Sequence, residues 1–224
     1  IVLIIKDISL QKQREEELKN KISEREMMIK EVYHRVKNNL AMVSSIINLQ
    51  IGESENEEAL NALNDLRSRI DSISMVHSKL FSGKDLNNIS LNEYINDLVD
   101  NLIDSLVSDG KTVVPDISIP EVDIDFDKAV LLGIVFTELT TNALKYAFGD
   151  QQTGMITITY SEKGEEAEII FADNGVGLPS GFSVNEAESL GFNLIISLVM
   201  QLGGDISFKN KNGAVFTITL PRLM

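Results

Sequence analysis

Cysteine is absent from all 224 residues, which excludes disulfides and thiolate-bound metal sites. Two histidines are too few for an ordinary histidine-built zinc site. No apolar run approaches the roughly 20 residues needed to cross a bilayer, and no signal-peptide pattern opens the chain. A cytoplasmic location without a membrane segment is therefore expected. Basic residues are outnumbered, 20 Lys and Arg against 34 Asp and Glu, and the net charge of −14 repels nucleic acid and anionic lipid surfaces. ATP is repelled as well, so a nucleotide site here must overcome the field locally, with a divalent cation and backbone N–H groups.

Glycine and proline are missing from Leu10 to Ile51, which predicts one helix on the order of 60 Å long at about 1.5 Å per residue. Along it Leu18, Ile22, Ile29, Val32, Val36, Val43 and Ile46 recur at steps of three and four, interrupted at Arg25 and Asn39, as in a bundle seam. His34 falls outside that register. By position alone it is a solvated surface residue or a group held out for chemistry. Gly52 supplies a stop, Ser54-x-x-Glu57 reads as a capping box, and the next helix carries Leu63, Leu66, Ile70, Ile73, His77 and Leu80 on one stripe. On this reading His77 is a packed seam residue. One hairpin cannot bury so long an apolar stripe, so two copies are expected to pair into a four-helix bundle.

Phe81–Asn88 breaks the pattern and marks a domain boundary. Beyond it Ser90-x-x-Glu93 caps a helix with Leu91, Ile95, Leu98, Leu102 and Leu106 on one face. Short strands near 113–119 and 122–124 lead to a long helix over about 127–148. Strands near 155–160 and 167–172, a loop to Ser189, a helix to Leu202, and strands near 205–209 and 214–220 complete the chain. Helices interleaved with hairpins predict a mixed sheet covered on one face, so the whole is α+β: a helical hairpin followed by a two-layer α/β sandwich.

Three patterns in the second part carry chemistry. On the long helix Glu138, Asn142 and Lys145 share a face at steps of four and three. A carboxylate, an amide oxygen and an ammonium so placed can order a reacting group, ligate Mg²⁺ and contact phosphate, although a solvated polar face has the same spacing. Asp173-Asn-Gly-Val-Gly177 follows a buried strand; its glycines permit close backbone approach, and the Asp173 carboxylate can accept from an amino group such as adenine N6. Ser189-Leu-Gly-Phe-Asn-Leu194 places Gly191 at a helix start whose free N–H groups suit phosphate.

In this order the motifs resemble the sensor histidine kinases, with the match running from about residue 10 to 224. His34-Arg-Val-Lys-Asn-Asn-Leu40 is similar to the acceptor box of the HWE-like subgroup. The resemblance implies a dimerising phosphotransfer hairpin at 10–86 and a Bergerat-type ATP-binding domain at 87–224. It makes His34 the phospho-acceptor, Asn142 the Mg²⁺ ligand, Asp173 the adenine reader, and Gly175, Gly177 and Gly191 the glycines shaping the pocket. Lys145 is expected to contact the nucleotide, and Glu138 to orient or activate the attacking group. Implied cofactors are ATP and Mg²⁺; implied partners are a second copy and a response-regulator receiver domain. Arg35 stands where many relatives carry an acid after the histidine, so Glu31, one turn earlier, is the candidate proton acceptor, and Asn38, one turn later, is a candidate for orienting water. Glu188 stands where a glycine often precedes the second glycine box. Ile1–Ile5 is a β-type run, and Asp7-Ile8-Ser9 resembles the exit of a PAS sensor domain, giving 1–9 as the tail of such a domain. Two other readings remain: another Bergerat-type ATPase or serine kinase, and a catalytically silent dimerisation and nucleotide-sensing module.

Overall fold

The computed structural model describes residues 2–82, 89–107, 110–149, 151, 153–179 and 190–223. The chain divides into two compact units, residues 1–70 and 71–224.

The first unit consists of α1 (Val2–Glu53) and the first half of α2 (Glu57–Ser82). Val2 to Ile5 are helical, not the strand their β-branched side chains suggest. A lone strand pairs none of its backbone groups, whereas lengthening an existing helix adds one hydrogen bond per residue without a new nucleus. The cap of α2 also differs from the expected capping box. Asn56 Oδ1 accepts from the N–H groups of Glu58 at 2.9 Å and Ala59 at 3.2 Å, so the helix starts two residues later than a Ser54 cap would place it.

The face of α1 that loses exposure is Tyr33, Val36, Leu40, Ser44, Ile47 and Ile51, again at steps of three and four. Of the seam read from sequence, Val36 lies on this face, while Leu18, Ile22, Ile29, Val32, Val43 and Ile46 stay exposed. The apolar stripe is wider than one neighbouring helix covers: Tyr33, Leu40 and Ile47 form a second heptad set beside Val32 and Ile46. Arg67 on α2 donates to Asn48 Oδ1 on α1 at 3.2 Å.

In the second unit, Ser90 caps α3 (Leu91–Leu106) by accepting from the Glu93 N–H, as its spacing predicts. The pair β1 (Ile89–Ser90) and β3 (Asp123–Ile124) brackets that start. β2 (Thr112–Ser118), β4 (Thr153–Lys163), β5 (Glu166–Asp173), β6 (Asp205–Asn210) and β7 (Ala214–Pro221) form one sheet in the order β2-β4-β5-β7-β6, with β2 parallel to β4 and the other pairs antiparallel. Alternation along the strands sends Ile156, Ile158, Ile169, Phe171, Phe216 and Ile218 to one buried face. There they meet α3, α4 (Phe126–Asn142) and α5 (Leu190–Gln201). α4 lies between α3 and α5 and buries every residue from Leu132 to Thr140, as expected of a helix enclosed on all sides. In mid-helix Gly133 makes room for Tyr94, since a Cβ there would stand 1.8 Å from the tyrosine oxygen.

The division between units falls inside α2, not at the 86/87 break. Most of that break, 83–88, lies outside the described residues. Val76, fully buried, joins the core of the second unit with Ile73 and Met75 packed against it. His77 is half-buried and edge-on to Phe126, with ring centroids 6.0 Å apart. Burial lowers its pKa from 6.5, so the ring is neutral at pH 7, the packed role its seam position predicts. Val76→Ala is therefore expected to destabilise the second unit by about 2 kcal/mol. That corresponds to a calorimetric midpoint roughly 4–8 °C lower. An unchanged midpoint would return the boundary to the end of α2.

Candidate functional site

At the C-terminal end of α4, Glu138 is buried at 8% exposure and Asn142, one turn on, is the last α-helical residue and half-buried. Ala143–Ala147 then widens into a π-helical turn. This corrects the expectation of one α-helix to Phe148, and both Lys145 and Tyr146 are exposed. The Val176 N–H donates to the Ala147 carbonyl at 2.9 Å, tying the end of this turn to the loop after β5. Gly175 allows the approach, because a Cβ on it would stand 2.2 Å from the Ala147 oxygen.

That loop begins at Asp173, the buried last residue of β5. Its Oδ1 accepts from the Gly175 N–H at 2.9 Å and the Ala214 N–H at 3.2 Å. A buried carboxyl needs such donors. Its other oxygen, Oδ2, could accept from an amino group. Gly213, at φ 125°, brings the β6–β7 turn onto Asp173, where a Cβ would lie 1.9 Å from the Asp173 carbonyl oxygen. Asn174 fastens the loop to β4: its Oδ1 accepts from the Met155 N–H at 2.8 Å, and its own N–H donates to the Met155 carbonyl at 3.2 Å. Gly177, at φ 75°, passes close to Asn210. Gly191 is buried in the first turn of α5, held down by Phe192, whose ring meets Phe216 at 5.7 Å and Phe208 at 6.4 Å. Ser189 and Glu188 lie outside the described residues.

The structure thus gathers Asp173, Gly175 and Gly177 with the turn that follows Asn142, and it adds residues the motifs did not mark: Gly213, Asn174 and Asn210. Gly213 is recognisable in hindsight as a glycine directly preceding an alternating strand, a signal read only as a hairpin turn. Among the described residues no group of three His, Cys, Asp or Glu side chains could hold a metal ion. The Asn142 amide oxygen could serve as one ligand of a divalent cation, and Mg²⁺ in general uses few protein ligands beside phosphate and water.

His34, Glu31 and Asn38 belong to the other unit. All three are exposed on α1, as the register predicts for His34. The Tyr33 and His34 rings stand 5.4 Å apart. Glu31 is engaged by Arg35, whose Nε donates to Glu31 Oε1 at 2.9 Å. Among the described residues no helix is long and apolar enough to cross a membrane.

Residues 31–106 match a family model described as histidine kinase, and residues 127–224 match one described as histidine kinase-, DNA gyrase B-, and HSP90-like ATPase. Sensor histidine kinase PdtaS of Mycobacterium tuberculosis is 32% identical over 214 residues, covering 93% of this chain and 41% of its own length. Blue-light-activated histidine kinase 2 of Erythrobacter litoralis is 25% identical over 209 residues, covering 90% of this chain and 59% of its own. The solved histidine kinase domain of the Erythrobacter litoralis EL346 blue-light activated histidine kinase superposes with a TM-score of 0.61 at 25% identity, over 85% of this chain and 89% of that one. The chain spans about two fifths of the length of the PdtaS relatives, 41%.

Proposed function

The chain belongs to the histidine kinase family, and from that premise we propose that it is a kinase core that moves the γ-phosphoryl group of ATP onto His34 and then to an aspartate of a response-regulator receiver domain. The observation that carries this reading is the Asp173 carboxyl, with one oxygen fixed by two backbone N–H groups and the other left to accept from adenine N6. The ATPase family match over residues 127–224 supports nucleotide binding.

In the proposed reaction a neutral ring nitrogen of His34 forms a bond to the γ-phosphorus in line with the breaking bond to the β,γ-bridging oxygen, and ADP leaves. The Asn142 amide oxygen would hold a Mg²⁺ ion carried in with the nucleotide, and that ion would supply charge neutralisation at the phosphates. Glu138 orients the attacking group, Lys145 contacts phosphate, and the N–H groups of the first turn of α5, around Gly191, receive phosphate oxygens. The ring proton passes from the other nitrogen to Glu31, whose exposed pairing with Arg35 is worth only about 0.5 kcal/mol and opens readily. Asn38 orients water when the phosphoryl group is removed.

Incubating the protein with γ-labelled ATP and Mg²⁺ tests the proposal. The expected label is covalent, lost in acid and stable in base; acid-stable label, or phosphate release without label, would sink it. The exposed stripe Leu18, Ile22, Ile29, Val32, Val43 and Ile46 supports pairing of two copies through the hairpin. Light scattering at micromolar concentration should give about twice the 24.8 kDa chain mass, and a monomer mass would overturn the dimer.

A further inference from the structure

At the far end of the glycine loop, Asn210 closes β6 and Leu178 leaves the loop, 32 residues apart in sequence. The Leu178 N–H donates to Asn210 Oδ1 at 2.9 Å, and Asn210 Nδ2 donates to the Leu178 carbonyl at 2.9 Å. The side-chain amide thus pairs with one residue through both of its backbone groups, as a neighbouring strand would. The orientation of the amide is fixed by its partners, because a flip would set donor against donor and acceptor against acceptor. Among the described residues β6 is the edge strand beyond β7, and none of their strands lies beyond Asn210 to make that pairing.

Gly177 is shaped to the same contact. Its φ of 75° disfavours a side chain, and a Cβ there would stand 2.9 Å from Asn210 Oδ1. The loop is consequently fastened at four points: Asp173 to Ala214 and Asn174 to Met155 at its start, Val176 to Ala147 in its middle, and Leu178 to Asn210 at its end. Remove the last, and the middle point alone sets the path of Gly177 and Leu178. Asn210 is exposed and so are the two hydrogen bonds, although the Leu178 side chain is half-buried, so water can replace the lost bonds and the fold survives; what is lost is the order of the loop before any ligand arrives.

We infer that Asn210 is a positioning residue for nucleotide binding, holding the glycine loop in its binding shape without touching the nucleotide. The inference rests on the proposed ATP site and deepens it.

The experiment is calorimetric titration of the whole chain with ATP, beside thermal melts and amide exchange at Leu178. Asn210→Ala should weaken ATP binding about 5–30-fold, the loss expected of two neutral hydrogen bonds that pre-order a loop. The melting midpoint should stay near wild type, the Leu178 amide should lose protection, and in the labelling assay KM for ATP should rise while the maximal rate changes less than about twofold. Ser207→Ala, an exposed change on the same strand, should leave all of these alone. Wild-type protein that fails to bind ATP overturns the proposed function. Wild-type binding with equal affinity in a folded Asn210→Ala protein overturns the role of Asn210 alone. Should the alanine variant not fold, Asn210→Asp keeps the acceptor for the Leu178 N–H and forfeits the donor, and wild-type affinity in that variant overturns the role as well.

Discussion

His34→Gln should reduce covalent labelling from γ-labelled ATP by at least about 100-fold, to background, while ATP affinity and thermal stability stay within error of wild type. Glutamine is close to histidine in reach, but its amide offers no nucleophilic nitrogen, so the proposed P–N bond cannot form. The site is exposed, and surface changes of this kind usually alter stability by no more than about 0.5 kcal/mol. A drop in labelling is therefore read as lost chemistry and not as lost fold. The residues proposed to bind nucleotide lie in the other compact unit, so titration with ATP separates acceptor loss from binding loss. Label that persists in the glutamine variant places the acceptor elsewhere, and phosphopeptide mapping would locate it. The neighbouring Glu31→Gln change sharpens the result. If Glu31 takes the ring proton, the labelling rate falls at unchanged ATP affinity; an unchanged rate leaves that proton to solvent.

What could be read in the sequence was local. The Ser90 cap, the alternation of β4, β5 and β7, and the outward position of His34 each depend on residues within a turn or a strand of one another, and each stands as the pattern implied. Features that depend on distant partners were hidden. The π-helical turn has an α-compatible sequence, and the partner of its last carbonyl, the Val176 N–H, lies far along the chain. Val76 and His77 continue the hairpin's spacing, yet Tyr94, Gly133 and Phe126 claim them for the second unit. Asn56 took the cap from Ser54 by a preference too fine to read, since asparagine and serine are nearly equal at that position. At the site, Asp173 was legible because an acid before paired glycines is a local signal. The groups that hold it were not: Ala214 is 41 residues away, and Asn210 lies 32 from Leu178.

Gly213→Ala should weaken ATP binding by about 100-fold, the larger of the two effects expected within the nucleotide site. Two separate constraints act at this position. The backbone sits at φ 125°, where side chains are disfavoured, and the new Cβ would meet the Asp173 carbonyl oxygen at 1.9 Å and its Oδ1 at 2.9 Å. Both contacts are with the residue proposed to read adenine, and the carbonyl belongs to backbone that cannot rotate away as a flexible side chain would. The β6–β7 turn must therefore lift, and the Ala214 N–H, next along the chain, leaves Asp173 Oδ1. Hydrogen bonds involving a charged group contribute about 1.5–3 kcal/mol each, so a carboxyl displaced from adenine accounts for a loss of this size. Gly164→Ala separates strain from contact. That glycine also has a positive φ, 68°, in the β4–β5 turn, but nothing lies within 4 Å of the added Cβ. It should cost about 1 kcal/mol of stability and leave ATP affinity unchanged. Comparable losses of affinity in the two variants would trace the effect to general destabilisation; affinity within threefold of wild type in a folded Gly213→Ala protein would remove Asp173 from adenine recognition.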